Sequence, residues 1–251
     1  MRNFNKHIID TKDFWNKKIR QWEIGRYDNN NHGGVLEKIA NYSSNSLRNR
    51  LRLSAFILKN YIKNKTVIEI GCGSALMGWW FVENGAKKYI GYDIAASAIE
   101  HAKTLYKNTK YQSRVKLFCK PILEMDTFKE ADIILSLGLL DWLTDDELKK
   151  LFSLGKNAEY LHAISEKRIS LTQYLHRIYV HLSYGFKTDA YVPRYFSVNE
   201  IKALITYENS REIKVFRDNR LSFGALLSSI PLPRHQIDLS SIPYFSSNFL
   251  K

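Results

Sequence analysis

Hydrophobic and polar positions divide the chain into a helical beginning, an alternating middle and a mixed end. Apolar residues recur at helical spacing from about residue 11 to 23, which predicts a first helix. A second helical pattern runs from about residue 46 to 61. Between the two, the polar and glycine-rich residues 28–34 predict a loop. We therefore expect two helices ahead of the first strand.

From Thr66 onward, short apolar strands alternate with helical patterns. The predicted strands are 66–70, 88–93, 115–119, 131–136 and 159–165, and the predicted helices between them are 75–83, 96–106 and 145–152. Strands that alternate with helices pair in parallel through right-handed crossovers, with helices on both faces of the sheet. The middle of the chain therefore predicts an α/β fold with a doubly wound, mostly parallel sheet.

The last third follows a different pattern. An aromatic helical pattern at 171–184 precedes the extended segment 189–196, whose proline disfavours helix at the residue before it. Ser197 and Glu200 form a capping-box sequence that opens another helix. Two closing strands follow, at 212–216 and 222–228. Because only a short link separates them, we expect an antiparallel pair.

The first strand ends in a glycine-rich sequence, in which Glu69 is followed by Gly71 and Gly73. Glycines have no Cβ, so this loop lets the backbone approach a ligand at the carboxyl edge of the sheet. Asp93 closes the second strand, near the spacing at which a strand-end carboxylate binds both ribose hydroxyls. Together these residues predict a nucleoside-binding site.

A dinucleotide-binding dehydrogenase is the natural competitor. Its loop needs a third glycine, so that pyrophosphate can lie on the following helix N-terminus, but this sequence has Leu76 at that position. The carboxylate of Glu69 would also repel pyrophosphate, whereas it suits a ligand that carries an ammonium and a sulfonium. The loop therefore favours a cationic nucleoside.

The stretch from about Val67 to Leu143, with the closing strand pair, resembles the class I S-adenosylmethionine (SAM) dependent methyltransferases, in particular those acting on small molecules. The resemblance implies a Rossmann-like seven-stranded domain, SAM as cofactor and S-adenosylhomocysteine (SAH) as product. It implies cofactor contacts from Glu69, Gly71, Cys72 and Gly73 at the methionine end, Asp93 at the ribose, Ile94 and Ile122 at the adenine, and Ser136 and Leu137 near the sulfonium.

The adenine end departs from the family pattern. Many relatives carry an acidic residue after the third strand, where this sequence has Lys120, Pro121 and Ile122. Pro121 cannot accept a hydrogen bond through its side chain. Packing by Ile122, a backbone carbonyl, or a carboxylate of Glu124 or Asp126 must therefore bind the adenine.

The candidate for catalysis lies after the fourth strand. Asp141 and Trp142 stand where many small-molecule members of the family have a pair of histidines. A hydroxyl acceptor needs a base to remove its proton, and Asp141 is the first candidate. The alternative is that Asp141 supplies a negative charge to the helix that starts near Thr144. Trp142 is a candidate for acceptor binding.

Further acceptor contacts are predicted in the proline-stiffened segment near residue 193. Tyr191, Arg194 and Tyr195 combine two phenols with a guanidinium, which can bind an anionic acceptor through a bidentate pair. The alternative is that they attach a loop to the core. Trp22 and Tyr27 are candidates for a lid over SAM, with helix packing as the alternative.

These assignments divide the chain into four segments. They are an N-terminal helical segment or lid (1–62), the SAM-binding core (63–166), a helical cap insertion (167–196), and the closing helix and strand pair of the same domain (197–251). The N-terminus lacks the apolar region of a signal peptide, and no apolar run reaches the roughly 20 residues of a membrane span. We expect a cytoplasmic protein.

Composition adds charge and excludes an obvious metal site. Thirty-eight Lys and Arg against 25 Asp and Glu leave a net charge of +13, spread diffusely, which favours anionic partners. Cys72 and Cys119 have no metal-ligand spacing, and His162, His176 and His181 are predicted to be packed or surface residues. No metal is expected, and the sequence leaves the oligomeric state open.

Three functions compete. The leading one is methylation, preferably on oxygen, of a small polar and anionic acceptor, for example a phosphorylated, nucleotide-linked or glycan-precursor metabolite. The net charge of +13 keeps RNA as an alternative acceptor, although the fourth strand lacks the Asn/Asp-Pro-Pro-Tyr motif that serves base amines. The third is a non-catalytic binding module of the same fold, which the intact glycine loop and Asp93 disfavour.

Overall fold

The secondary structure comes from a computed structural model, which describes residues 2–27, 35–155, 157–169, 173–174, 177–178, 193–208, 212–233 and 237–247. The helices are α1 (Arg2–Tyr27), α2 (Val35–Leu58), α3 (Gly78–Glu83), α4 (Ala96–Tyr106), α5 (Asp145–Ser153) and α6 (Val198–Glu208). The strands are β1 (Thr66–Ile70), β2 (Lys88–Asp93), β3 (Val115–Cys119), β4 (Ile133–Leu137), β5 (Glu159–Ser165), β6 (Lys214–Phe216) and β7 (Gly224–Ser228).

The strands form one seven-stranded sheet in the order β3-β2-β1-β4-β5-β7-β6. The first five strands pair in parallel, and β7 runs antiparallel to both β5 and β6. This arrangement confirms the predicted doubly wound, mostly parallel fold and its antiparallel closing pair. The order reverses between β1 and β4, because β2 and β3 lie on one side of β1 and β4 and β5 on the other.

The burial of each strand follows from its place in the sheet. All five residues of β1 are buried, since helices cover both faces of this central strand. In the edge strand β3 only Val115 and Leu117 are buried. One apolar cluster, which includes Leu53 and Phe81, packs on one face of the sheet, and another, which includes Phe152, packs on the other. The sheet is therefore the rigid middle layer that carries the loops of the site.

The first residues of three helices, α1, α2 and α3, differ from the prediction. Helix α3 begins at Gly78 rather than at Ala75, because Gly73 and Ala75 have φ angles of +52° and +55°, which no right-handed helix allows. Helices α1 and α2 begin earlier than the apolar periodicity indicated. The first turn of α1 is mostly polar and therefore carries no apolar periodicity.

Side-chain caps define the starts of the two C-terminal helices. Thr144 and Glu147 form a reciprocal capping box at α5. At α6, the N–H of Ser197 donates to the Glu200 carboxylate at 2.6 Å, and the N–H of Glu200 donates to Ser197 Oγ at 3.2 Å. The capping box predicted from the sequence at Ser197 is therefore confirmed.

Much of the predicted cap insertion lies outside the described residues. Within 167–196, the structure describes 167–169, 173–174, 177–178 and 193–196, and the predicted loop at 28–34 is likewise outside. Among the helices that are described, none combines the length and apolar character needed to cross a lipid bilayer.

Candidate functional site

A deep cleft opens at the carboxyl ends of β1 and β4, where the strand order reverses. This is the place at which doubly wound sheets bind ligands, because the loops after neighbouring strands diverge there. The space between its walls amounts to about 1060 Å³, a volume that includes open solvent at the mouth. All the predicted cofactor residues except Ser136 line it.

The glycine loop after β1 forms the floor of the cleft. Gly71 and Gly73 have φ angles of +74° and +52°, in the left-handed region that favours glycine. A Cβ on Gly71 would lie 3.0 Å from Leu139 Cβ in the opposite wall. The N–H groups of Gly71 and Cys72 donate to the carbonyl of Tyr92 at 2.8 and 3.0 Å. These bonds hold the loop against the end of β2.

Asp93 at the end of β2 completes this support. Its carboxylate accepts hydrogen bonds from the N–H groups of Gly73 and Ala95, each at 2.8 Å, and its side chain also lines the cleft. Burial raises the pKa of Asp93, while these backbone donors oppose that rise. Asp93 therefore shapes the loop and contributes a carboxyl group to the cleft lining.

Glu69 is a buried carboxyl beside the same loop, only 5% exposed. The hydroxyl of Tyr89 donates to it at 2.5 Å, and Tyr89 in turn stacks on Phe81. Burial raises the pKa of Glu69 to about 8, against the smaller opposing effect of the Tyr89 hydrogen bond. A buried carboxyl with a strongly raised pKa in a cleft marks a candidate functional site.

Helix α1 lies along the cleft, and a lid role for Trp22 and Tyr27 stays a prediction. Both residues line the cleft, together with Trp15 and Ile19. Trp15 packs edge-on against Trp142 with ring centroids 5.0 Å apart, so an aromatic contact joins the lid to the segment after β4. Helix α1, called the lid helix below, therefore forms part of the cleft wall.

Glu23 adds a third carboxyl from the inner face of α1. It accepts a hydrogen bond from the N–H of Ser74 at 2.7 Å and another from the Ser74 hydroxyl. Burial raises the pKa of Glu23 to about 7, although both Ser74 hydrogen bonds act in the opposite direction. Glu23 thus joins the lid to the glycine loop.

The segment after β4 forms the opposite wall, which contains Leu137, Gly138 and Leu139. Gly138 has a φ of +109°, and a Cβ at this position would lie 2.5 Å from Nη2 of Arg50 on α2. The Arg50 guanidinium therefore lies directly behind this wall. Its charge opposes the pKa rise that burial causes at Tyr27.

At the end of the cleft assigned to adenine, the lining side chains are Tyr92, Ile94, Lys120, Ile122 and Met125. The sequence left open which group binds the adenine. Of the side chains considered, Ile122 lines the cleft. Glu124 and Asp126 do not line the cleft; both are exposed, and Asp126 pairs with Lys120 at 3.6 Å.

Two predicted residues lie behind the cleft rather than in it. The Asp141 carboxylate accepts hydrogen bonds from the N–H and the hydroxyl of Ser165, at 2.8 and 2.7 Å, and is buried. Burial raises the pKa of Asp141. Ser136 lies 2.9 Å from His162 Nδ1 in the core, where burial lowers the pKa of His162 to about 3. These contacts attach β5 to its neighbours.

The predicted acceptor segment attaches a loop to the core where it is described. Arg194 donates to the carbonyl of Leu143 at 2.9 Å and pairs with Asp145 at 2.7 Å. Tyr195 packs on Phe223 with ring centroids 5.9 Å apart. Neither Arg194 nor Tyr195 lines the cleft formed by the described residues, and Tyr191 lies outside them. Trp142 does line it.

Sequence reasoning missed Glu23 and Arg50 as parts of the site. A signal for Glu23 exists: it follows Trp15 and Ile19 at four-residue spacing, so a carboxyl stands on the apolar face of α1. No comparable signal marks Arg50, because it lies among other basic residues of α2.

The raised pKa values of Glu23 and Glu69 predict that the protein without cofactor loses stability as the pH rises. From an ordinary 4.5 they rise to about 7 and about 8, so the native state holds more protons than the unfolded state within this window. This contribution is complete below pH 4.5 and is lost as the pH passes 7 and 8. The free energy of unfolding in urea should fall by on the order of 6 kcal/mol between pH 5 and 8, with the larger share from Glu69.

Glu69→Gln should flatten this dependence, whereas Glu130→Gln on the surface should leave it unchanged. Asp132 does not contribute to this dependence. Burial would raise its pKa, but hydrogen bonds from the N–H of Thr66 and from Lys65 lower it below the ordinary value, and so below this window. A stability that rises between pH 5 and 8 in the wild-type protein would contradict the assignment of buried, protonated carboxyls.

Comparison with known proteins agrees with this geometry. Residues 67–157 match the sequence family described as a methyltransferase domain. Protein arginine N-methyltransferase 1 of Chlamydomonas reinhardtii is 29% identical over 112 residues, and its namesake in Saccharomyces cerevisiae is 28% identical over 121 residues. These alignments cover 44% and 47% of this chain but only 31% and 34% of the relatives. The chain thus matches about a third of their length.

Solved structures resemble the chain over most of its length. Magnesium protoporphyrin IX methyltransferase from Synechocystis PCC 6803 with bound SAH has a TM-score of 0.62, covers 87% of this chain and 96% of its own, and is 13% identical. The same enzyme with bound SAM has a TM-score of 0.61 at 12% identity, covering 88% of this chain and 95% of its own. At this identity the likeness concerns the fold.

Proposed function

Because this chain carries a class I SAM-dependent methyltransferase domain, we propose that it transfers the methyl group of SAM to a small acceptor. The acceptor would lie between the lid helix α1 and the segment after β4. The observation that carries the proposal is the pair of carboxyls, Glu69 and Asp93, which flank the glycine loop from neighbouring parallel strands.

These residues fit SAM. When bound, SAM supplies a methyl group on a positively charged sulfur. Glu69 offers a desolvated carboxyl to the cationic methionine end, and Asp93 offers one to the ribose hydroxyls. Gly71 and Gly73 keep the backbone free of side chains on the same side. The aromatic lid excludes water from the cleft, which strengthens each of these interactions.

An anionic oxygen acceptor is the finer form of the proposal. The net charge of +13 supports it, because a basic surface attracts acidic small molecules. The hydrogen bonds of Asp141 to Ser165 support it as well, since they occupy the carboxylate that was expected to act as a base. An acceptor that arrives already ionised needs no base.

A cationic nitrogen acceptor is the second candidate, favoured by the charge inside the cleft. Among the described residues, its lining contains the carboxyls of Glu23, Glu69, Asp93 and Glu147 and one ammonium, that of Lys120. The curated relatives are named arginine N-methyltransferases, which supports a guanidinium or amine as acceptor.

We also propose that the protein works in the cytoplasm. Both cysteines are free thiols, with Cys72 buried and Cys119 exposed. An exposed free thiol is more at home in a reducing compartment than in an oxidising one.

Calorimetric titration with SAM and SAH tests the cofactor, and transfer from radiolabelled SAM tests the acceptor. The panel contains phosphorylated and carboxylated small molecules, guanidines and amines, and tRNA at 50 and 200 mM salt. We expect micromolar binding of both SAM and SAH and transfer to the small acids. Transfer to guanidines alone would favour the second candidate, and transfer to tRNA would favour RNA. A protein that binds neither SAM nor SAH would refute the proposal.

A further inference from the structure

Resting on the proposed function, we propose that Glu23 is a positioning residue that holds the lid helix α1 on the glycine loop and so couples cofactor binding to closure of the cleft. Glu23 is 6% exposed and lines the cleft from the lid side. Its partner Ser74 is completely buried and directly follows Gly73. The lid and the cofactor loop thus share one polar contact.

The Glu23–Ser74 contact is specific in its geometry. Both carboxylate oxygens are used, one by the N–H and one by the hydroxyl of Ser74. A Cβ built on Gly73 would overlap Oε1 of Glu23, so the lid carboxyl can reach the loop only because residue 73 is a glycine. The same glycine that clears space for a ligand therefore also receives the lid.

Arg20 reinforces this contact from the same helix. Its guanidinium lies 3.3 Å from Ser74 Oγ and 3.6 Å from the carboxylate of Glu23, one turn along α1. Farther toward the N-terminus, Oδ1 of Asn16 accepts a hydrogen bond from the backbone N–H of Ser97 at 3.2 Å. The backbone carbonyl of Asn16 accepts another from the Ser97 hydroxyl at 2.8 Å. The inner face of α1 therefore docks through polar contacts at two places.

Packing alone does not account for a carboxyl at this position. Its neighbours on the inner face of the lid, Trp15, Ile19 and Trp22, are apolar, and burying a carboxyl among them costs free energy unless it is well paired. A leucine would close the lid against the cleft without that cost. The hydrogen bonds of Glu23 to Ser74 in the glycine loop explain why a carboxyl stands here.

The charges around Glu23 make the contact sensitive to pH. The groups facing it are Arg20 and Tyr27 on α1, Cys72 on the loop and Asp93 on β2. Burial raises the pKa of Glu23 to about 7. In the empty cleft this shift favours the protonated carboxyl, whereas ionisation restores the ion pair with Arg20 and both acceptor oxygens. Closure on a cationic ligand favours the ionised carboxyl, so affinity should rise with pH.

The test is titration of Glu23→Gln, Ser74→Ala and the double variant with SAM, which carries the sulfonium, and with SAH, which lacks it, at pH 6, 7 and 8, with hydrogen exchange of α1 in the bound state. Asp13→Asn is the matched control, because it removes an exposed carboxyl from the same helix. At pH 8 we expect each single variant to bind about tenfold more weakly than wild type, with faster exchange in α1 and a smaller pH dependence. Because the two residues act as one contact, the double variant should lose little more.

Each outcome decides between the two levels of the proposal. If wild type binds SAH and Glu23→Gln matches Asp13→Asn in affinity and exchange, the coupling is wrong and the proposed function stands. Fully additive losses in the double variant would also overturn the coupling. If wild type itself binds neither SAM nor SAH, the proposed function and the coupling fall together.

Discussion

Replacing Asp93 by alanine should weaken binding of SAH by roughly a hundredfold or more, because the change removes two kinds of interaction at once. The carboxylate accepts hydrogen bonds from the N–H groups of Gly73 and Ala95 in a partly buried setting. Each donor left without a partner costs about 1–3 kcal/mol. The loop then loses its shape, and the ligand loses the carboxyl group expected to bind its ribose.

Isothermal titration of SAH against wild type and Asp93→Ala measures this effect. Glu130→Ala is the control, because Glu130 carries the same charge on the surface, 77% exposed, in a weak pair with Lys88. Asp93→Asn should lie between, since its amide offers only one acceptor oxygen. An Asp93→Ala protein that binds SAH within threefold of wild type would remove Asp93 from the cofactor site.

Replacing Gly138 by alanine is the second large effect. Its φ of +109° is strained for any residue with a Cβ, and that Cβ would lie 2.5 Å from the Arg50 guanidinium. We expect the variant to lose about 2–3 kcal/mol of folding free energy. It should also lose most of its methyl transfer, because the displaced segment forms the wall expected to face the acceptor.

Gly25→Ala is the matched control in the opposite direction. Gly25 is exposed in α1 and nothing lies within 4 Å of a Cβ there, so alanine should stabilise the protein by about 0.5–1 kcal/mol. Urea unfolding of both variants gives the comparison. Adding Arg50→Ala to Gly138→Ala should recover the part caused by the clash and leave the backbone strain. Equal or higher stability of Gly138→Ala would contradict this account.

Contiguous motifs explain why the sequence could bring together residues that line one cleft. Glu69, Gly71 and Gly73 occupy one strand end and its loop, and Asp93 ends the neighbouring strand. In a parallel sheet the carboxyl ends of neighbouring strands meet at one edge, so recognising the strands is enough to bring these residues together. Short local signals also predicted the antiparallel closing pair, from its short link, and the capping box at Ser197, from Glu200 three residues later.

The acceptor side could not be predicted in the same way. Asp141 and Arg194 have suitable chemistry and follow strands of the sheet, yet the path of each loop turns them toward Ser165 and toward Leu143. A loop's backbone path depends on many weak contacts that have no periodic signature in the sequence. The direction of a loop side chain is therefore open until the chain is packed.

The sheet, the glycine loop and the carboxyls at two adjoining strand ends could be predicted, because local periodicity and short motifs encode them. The contact of Glu23 with Ser74 and the position of Arg50 behind Gly138 became visible only in the folded chain. Distance along the chain explains the difference. These contacts join residues 51 and 88 positions apart, and packing of helices on the sheet, not local spacing, sets them.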